Sequence, residues 1–206
     1  MYTNGYIFRY AGIMVILAAA LLSTTAMLLK PYQDRNMAIE KMGGILISAD
    51  IKGVETEQTI PMFNKYVTEA IVIDQDGNVI QNYTEASMQD SRAFSVDMKK
   101  ELYKKSKNEN FELPLYIVEH DGVKSYVLPM MGVGLWGPVW GNIALSEDLN
   151  TIIGVTFDHK GETPGLGAEI TTPMFTDQFI GKQIFDENGK FTSILVVKGG
   201  AKTLPD

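Results

Sequence analysis

The segment Val67–Tyr83, VTEAIVIDQDGNVIQNY, contains two apolar runs separated by a turn with Asp76-Gly77. Glycine adopts positive φ without steric cost, so Asp-Gly between two such runs predicts a β-hairpin. The same arrangement returns in LYIVEHDGVKSYVLP, residues Leu115–Pro129, and a helix is predicted between the hairpins at Val96–Lys105. Successive hairpins indicate an antiparallel sheet. The predicted fold class is therefore α+β, a mostly antiparallel sheet with a few helices.

The second half of the chain predicts further strands and one short helix. The helix is expected to begin at Thr172-Pro173, with a hydroxyl cap and proline at the first helical position, and to end at Gly181. No G-x-G-x-x-G follows a first strand and no P-loop motif occurs, which argues against both nucleotide-binding folds. The further strands are predicted at Trp140–Leu145, Ile152–Asp158 and Phe191–Lys198.

Composition excludes several classes of function. With 18 Lys+Arg against 25 Asp+Glu, the formal charge is -7, and no basic cluster suits a nucleic-acid backbone. The chain has no cysteine, so disulfides, thiolate nucleophiles and iron–sulfur ligation are absent. Its two histidines, His120 and His159, lie far apart in sequence, and we expect no metal site.

The chain opens with an apolar stretch, Ile7–Leu29, that carries one charge, Arg9, and is followed by Lys30-Pro31. Its length is sufficient to cross a hydrocarbon core of about 30 Å as a helix. A cleaved signal peptide is the alternative, but its apolar region is usually shorter. We therefore predict a transmembrane anchor at residues 1–30, with the helix ending at Lys30, and a soluble domain at residues 31–206. Helical spacing of apolar residues predicts a connecting helix over Gln33–Ala49.

Two glycine-rich segments, Pro129–Leu145 and Phe157–Ile170, are candidates for a ligand site. The predicted strand Ile152–Asp158 leads from the neighbourhood of the first to the second, so the two could face one another. Glycines allow backbone N–H groups to approach a ligand closely, and Trp136 and Leu166 offer apolar surface. Such parts suit a flat apolar ring with a polar edge and a phosphate. The alternative is that the glycines mark turns and the tryptophans pack in a core.

Carboxylates and a histidine follow the strand that leads into the second segment. Asp158, His159 and Glu162 could form an acid–base or metal cluster, although the end of a strand commonly carries such residues for solubility. Glu162 taken alone is better explained as a solvated or capping carboxylate than as a general base. We assign no catalytic residue.

The motifs E-T-P-G-L-G-A (Glu162–Ala168) and G-x-G-L-W-G-P (Gly132–Pro138) resemble the FMN-binding domain of the C subunit of the bacterial Na+-translocating NADH:quinone oxidoreductase. The resemblance covers nearly the whole chain. It includes N-G-Y-x-F-x-Y-A before the apolar stretch, L-K-P-x-Q-x-x-N after it, and L-N-T-I-x-G at Leu149–Gly154. The related G subunit of the Rnf ion-translocating oxidoreductase shares E-T-P-G-L-G, whereas L-W-G-P-x-W-G favours the quinone reductase.

The resemblance implies a one-electron-carrying flavoprotein subunit of an enzyme that passes electrons from NADH toward quinone and couples this to Na+ transport. It implies a complex of six subunits in the bacterial cytoplasmic membrane. The chain would have a single transmembrane helix and its FMN-binding domain on the periplasmic, outer side, with no nucleic-acid partner. The alternatives are an Rnf-type G subunit and a membrane-anchored binding module without redox function.

The resemblance also implies the cofactor, FMN, and the residues that contact it. The isoalloxazine is expected against Leu166 and the Gly-Leu-Trp segment, with Thr163 at its polar edge. FMN is joined through its phosphate to a threonine of an S-G-A-T motif in this family; no such motif occurs up to Asp206, so Thr203 is not that threonine, which is expected to lie beyond this chain. The FMN-binding residues implied are Gly134, Leu135, Trp136, Glu162, Thr163, Pro164, Gly165, Leu166, Gly167 and Lys198.

Overall fold

The structure is a computed structural model that describes residues 3–84 and 90–197. The chain forms two compact units, Met1–Glu40 and Lys41–Asp206. The first unit is occupied by helix α1, which begins at Asn4 and continues into the second unit as far as Ser48. The second unit contains the sheet and every other helix of the described residues.

Helix α1 is long and apolar enough to cross a membrane, and its most apolar stretch is not buried by the protein. The prediction that the helix ends at Lys30 is wrong, because Pro31 lies inside α1. Proline removes one backbone hydrogen bond, at a cost of about 3 kcal/mol in a helix interior. Burial of large apolar side chains contributes about 1.5–3 kcal/mol each, and the last turns of α1 bury several residues. These are Met42, Gly43, Ile45, Leu46 and Ser48.

Six strands form one antiparallel sheet. The strands are β1 Val67–Asp74, β2 Val79–Tyr83, β3 Glu112–His120, β4 Val123–Val133, β5 Pro138–Leu145 and β6 Ile152–His159. Their order in the sheet is β2-β1-β3-β4-β5-β6. Both predicted hairpins are confirmed, and their turns place Gly77 and Gly122 at φ +81° and +78°.

The remaining helices are short. The predicted helix between the hairpins is confirmed as a helix at Met98–Ser106, and the Asp97 carboxylate caps it by accepting from two backbone N–H groups. The helix at Thr172-Pro173 is also present, but the Thr172 hydroxyl donates to the Glu169 carbonyl instead of capping it. The helices are α2 Thr59–Tyr66, α3 Arg92–Ser95, α4 Met98–Ser106 and α5 Pro173–Thr176, with 3-10 turns at Gly167–Thr171 and Asp177–Phe179.

One face of the sheet packs against α1, α2 and α3. Tyr116 is fully buried there, its ring is edge-on to Phe63, and its hydroxyl donates to the Ala93 carbonyl at 3.0 Å. At the other end of this face, the last turn of α1 meets β6, because a Cβ built on Gly154 would lie 2.4 Å from the Ser48 carbonyl oxygen. Gly154 is therefore required for close packing between helix and strand.

The opposite face, near β5 and β6, is covered by side chains from the stretch 175–194. Three aromatic rings meet here, with centroid separations of 5.3 to 5.7 Å among Phe157, Phe175 and Phe179. They extend a core of Leu145, Ile152 and Val155. The sheet is thus packed on both faces at the end from which the candidate site projects.

One strand prediction fails in this region, whereas the strand predicted at Trp140–Leu145 is confirmed inside β5. The segment Pro129–Leu145 is mostly strand, because β4 runs to Val133 and β5 begins at Pro138, which leaves a turn of only four residues. The strand predicted at Phe191–Lys198 is not formed in the part the structure describes, residues 191–197, where Phe191 makes a single bridge to Phe185. Ile194 packs against the core on the sheet face instead of joining the sheet.

Candidate functional site

The β4–β5 hairpin ends in residues 134–137, which we call the tryptophan turn. The Gly134 N–H donates to the Gly137 carbonyl at 2.7 Å and closes the turn. Between these two glycines, Leu135 and Trp136 are 83% and 68% exposed. Large apolar side chains at this exposure on a rigid hairpin are typical of a surface that receives another molecule.

Strand β6 ends beside this hairpin and leads into residues 161–167, which we call the Glu162 loop. The Lys160 N–H donates to the Pro138 carbonyl at 3.1 Å, so the loop starts at the base of the tryptophan turn. Within the loop, the Thr163 carbonyl accepts from the N–H groups of Leu166 and Ala168 at 3.1 and 3.2 Å. These bonds close a compact turn.

The apex of the Glu162 loop requires glycine. Gly165 follows Pro164 and has φ +76°, a conformation that other residues rarely adopt. Its N–H donates to the Glu169 carboxylate at 2.9 Å. The next residue, Leu166, is 74% exposed, so the loop also presents an apolar side chain to solvent.

Glu162 connects the two segments directly. Its carboxylate accepts from the Trp136 N–H at 2.9 Å, although the two residues are 26 positions apart in sequence. The residue is only 9% exposed, so a charged side chain lies between two backbone turns. The sequence-based idea that the glycine-rich segments face one another is confirmed.

The glycines on both sides of Glu162 fit its carboxylate. A Cβ on Gly134 would lie 2.4 Å from Glu162 Oε1, and a Cβ on Gly167 would lie 2.7 Å from Oε2. Both distances are shorter than real Cβ contacts, so any side chain at either position displaces the carboxylate. The spacing of these glycines therefore reflects a carboxylate held between them.

His159 acts within the same network as an acceptor. Its Nδ1 accepts from the Glu162 N–H at 3.2 Å, which leaves the proton of the neutral ring on Nε2. The Asp158 carboxylate accepts from the His159 N–H at 2.7 Å. Within residues 3–84 and 90–197, no group of three or more acidic or histidine side chains could hold a metal ion. The metal cluster considered from sequence at Asp158, His159 and Glu162 is therefore not supported in the part of the chain that the structure describes.

The polar and apolar groups of the two segments fit one end of a flavin. Three exposed apolar side chains, those of Leu135, Trp136 and Leu166, provide flat surface for a ring system. The Thr163 hydroxyl is exposed and makes no hydrogen bond to any residue that the structure describes, so it is free to contact a polar ring edge. Lys198 lies outside the described residues.

The structure thus brings together nine of the ten residues implied as FMN contacts, in two joined segments. Sequence reasoning missed the role of His159 and the bond between Glu162 and Trp136. No periodicity or motif spacing reports a hydrogen bond from a loop carboxylate to a backbone N–H on another hairpin, so neither contact was predictable. The recurrence of glycine around Glu162 was the only signal.

Comparisons with known proteins place this chain among flavoproteins. A family model described as an FMN-binding domain matches residues 134–201, which include both joined segments. The C subunit of the Na+-translocating NADH-quinone reductase from Vibrio vulnificus is 29% identical over 98% of this chain and 82% of the relative. The same subunit from Pseudomonas aeruginosa is 27% identical over 92% and 76%.

Two solved structures show the same similarity in three dimensions. The crystal structure of the C subunit of the Na+-translocating NADH-quinone reductase from Parabacteroides distasonis is 35% identical, covers 82% of this chain and 77% of its own, and superposes with a TM-score of 0.69. The crystal structure of NqrC from Shewanella oneidensis is 31% identical, with 79% of each chain covered and a TM-score of 0.60.

Proposed function

This chain belongs to the family of NqrC, the C subunit of the Na+-translocating NADH-quinone reductases, and from that membership we propose that it is an FMN-carrying electron-transfer subunit of such an enzyme. Electrons pass through it on their way from NADH toward quinone, and the complex couples this transfer to Na+ transport. The chain needs no acid–base residue for its part, because FMN accepts and releases electrons when bound.

One observation carries the proposal. The match to the FMN-binding family model begins at Gly134, the first residue of the tryptophan turn, and extends across the Glu162 loop. These are the two segments joined by the bond from the Trp136 N–H to Glu162. The residues that match the FMN-binding family model therefore include those that present exposed apolar side chains and an exposed hydroxyl.

The residues of the two segments have different tasks toward FMN. Leu135, Trp136 and Leu166 cover the ring and remove water from it, and the Thr163 hydroxyl hydrogen-bonds to its polar edge. Apolar surroundings disfavour a charged ring, whereas nearby hydrogen-bond donors favour it, so the balance of the two sets the potential at which electrons are held. Gly165 lets the backbone turn without a side chain at the loop apex.

We assign Lys198 to FMN, where its charge would offset that of the phosphate or that of the reduced ring. The covalent link expected in the family joins the phosphate of FMN to a threonine. The contacts proposed for Leu135, Trp136, Thr163 and Leu166 are made to the ring, at the other end of the cofactor.

We further propose that α1 holds the protein in the bacterial cytoplasmic membrane as its single transmembrane helix, with residues 31–206 on the periplasmic side. The helix passes the length and composition test for a membrane span. The partners would be the other members of a complex of six subunits.

Affinity purification from membranes of flavin-replete cells tests the proposal. We expect the full chain to bring down the other reductase subunits and to contain flavin that is identified as FMN after release. A fusion of alkaline phosphatase to the end of the chain should be active, since that enzyme needs the oxidising periplasm. Purified protein without flavin and without partner subunits would contradict the assignment.

A further inference from the structure

We propose that Glu162 is a positioning residue, whose buried carboxylate fastens the tryptophan turn to the Glu162 loop and so makes one flavin-binding surface from two segments. The effect on flavin binding rests on the proposed function. The contact that joins the two segments does not, because it is formed by the residues of this chain without any flavin. It changes the role implied for Glu162 by the family resemblance, which was direct contact with FMN.

The Glu162 carboxylate is both buried and hydrogen-bonded. A charged carboxylate that is 9% exposed loses most of its hydration, which is costly unless hydrogen bonds replace it. The Trp136 N–H supplies such a bond at 2.9 Å, and hydrogen bonds to a charged acceptor are stronger than those between neutral groups. The carboxylate oxygen that accepts this bond faces the backbone of the tryptophan turn, so this oxygen is not available to an external ligand.

The Glu162 carboxylate also lies in a space that two glycines leave open for it. Gly134 contacts one oxygen and Gly167 the other, at positions where a Cβ would come within 2.4 and 2.7 Å. The carboxylate thus separates a residue of the tryptophan turn from a residue of the Glu162 loop. Both turns are shaped around this one side chain, so its removal leaves a gap between them.

The backbone of Glu162 is itself held in place. Its N–H donates to His159 Nδ1 at 3.2 Å, and Lys160 is bound to the base of the opposite hairpin through the Pro138 carbonyl at 3.1 Å. Together with the bond from the Trp136 N–H, these contacts hold the end of β6 and the Glu162 loop against the β4–β5 hairpin. The geometry assigns Glu162 a role that acts through Trp136.

Two consequences follow for the proposed flavin site. First, the carboxylate joins the segments that carry Trp136 and Leu166, so the separation of these two side chains is fixed before a ligand binds. This lowers the free-energy cost of ordering both side chains on binding. Second, a buried negative charge behind the surface opposes the addition of negative charge to a bound ring. Replacing the charge with a neutral group of the same shape should therefore move the reduction potential to a more positive value.

Hydrogen exchange of the Trp136 amide tests the fastening without any flavin. Glu162→Gln retains an oxygen acceptor and should keep the exchange rate of this amide within about twofold of the original protein. Glu162→Ala removes the acceptor and should accelerate exchange by about fivefold or more. If Glu162→Ala leaves the rate unchanged while the domain stays folded, the proposal is wrong.

A second pair of variants keeps the test decisive if Glu162→Ala disturbs the fold. Gly167→Ala should accelerate exchange of the Trp136 amide, because the new Cβ would lie 2.7 Å from Glu162 Oε2 and push the carboxylate away. Gly161→Ala is the matched control, since a Cβ there meets nothing within 4 Å. Equal exchange rates of the Trp136 amide in these two variants would contradict the proposal.

The flavin-loaded full chain separates this inference from the proposed function. We expect Glu162→Gln to retain FMN with a more positive reduction potential, and Glu162→Ala to lose FMN affinity. An unchanged potential in Glu162→Gln would overturn the electrostatic consequence. If no variant and no original protein binds FMN, the proposed function fails, whereas the exchange experiments still decide whether Glu162 fastens the two segments.

Discussion

Replacing Leu166 with aspartate is expected to weaken FMN binding and leave the domain folded. Leu166 is 74% exposed at the apex of the Glu162 loop, so its side chain contributes little to the core. Surface substitutions of this kind usually change the free energy of unfolding by less than about 0.5 kcal/mol. A loss of flavin binding in this variant would therefore report on the binding surface alone.

The size of the effect follows from the surface that Leu166 still exposes. Full burial of a leucine side chain is worth about 1.5–3 kcal/mol. Since 74% of the residue is available for burial by a ligand, contact with FMN contributes at most about 1–2 kcal/mol, or roughly a 5- to 30-fold change in Kd. A carboxylate that must be desolvated beside the ring adds to this loss.

The assay is a fluorescence titration with FMN, paired with urea unfolding of each variant. Leu149→Asp serves as the control, because Leu149 is 50% exposed in the β5–β6 connection and belongs to neither joined segment. We expect a Kd at least about fivefold higher for Leu166→Asp and unchanged for the control. Equal FMN affinity of Leu166→Asp and the original protein would refute the placement of the ring at Leu166.

Three further changes test the fold that holds the site. Gly154→Ala should lower the free energy of unfolding by about 1–3 kcal/mol in a urea titration, because its Cβ would lie 2.4 Å from the Ser48 carbonyl oxygen. Tyr116→Phe should cost about 1–2 kcal/mol by leaving the Ala93 carbonyl without its bond. Burial raises the pKa of Tyr116, so the contribution of this residue to the free energy of unfolding is fully present below about pH 10. The contribution is lost at higher pH, where the unfolded chain releases the phenolic proton of Tyr116. Four hydrogen bonds, from Ser146, Thr151 and two backbone N–H groups, hold the pKa of Asp148 below its usual value. The stability that Asp148 contributes should therefore be lost as the pH falls below about 4, and Asp148→Asn should reduce the pH dependence of stability in that range.

Each of these three has a contradicting result. Full stability of Gly154→Ala would show that α1 does not pack closely on β6. An unchanged urea midpoint for Tyr116→Phe would show that the buried hydroxyl contributes nothing, and an equally steep acid transition in Asp148→Asn would remove that carboxylate from the pH dependence.

The local features of the fold were predictable because short-range chemistry determines them. Asp76-Gly77 and the second Asp-Gly turn produce tight hairpins wherever apolar runs flank them, and α4 follows from a cap and a charged helical run. The order of strands along the chain then leads to an antiparallel sheet, since neighbouring hairpins pair directly. These predictions needed no contact between distant residues.

The failures have a common physical cause, which is packing between distant segments. Pro31 was expected to end α1, but tertiary burial of the following turns keeps the chain helical. Gly141 was counted among the glycines of a candidate ligand segment, yet it lies inside β5, where a Cβ would come within 1.9 Å of the Thr156 carbonyl oxygen. A glycine selected for close approach looks the same in sequence as a glycine selected for a turn.

The candidate site was likewise predictable from the sequence only in part. Family resemblance located Trp136, Leu166 and their neighbours, and the structure shows that the two segments meet. The bond between Glu162 and Trp136 depends on how β6 lies beside the β4–β5 hairpin. That arrangement is a product of the whole sheet, so no reading of the two motifs separately could supply it.

Whether this chain carries electrons on FMN is decided by an anaerobic reductive titration of the full chain purified from membranes of flavin-replete cells. We expect a visible flavin absorption band that disappears on stepwise reduction and returns on reoxidation, with a potential that shifts in Glu162→Gln. A protein without visible absorption, or with bound flavin that cannot be reduced and reoxidised, would rule out an electron-carrying role.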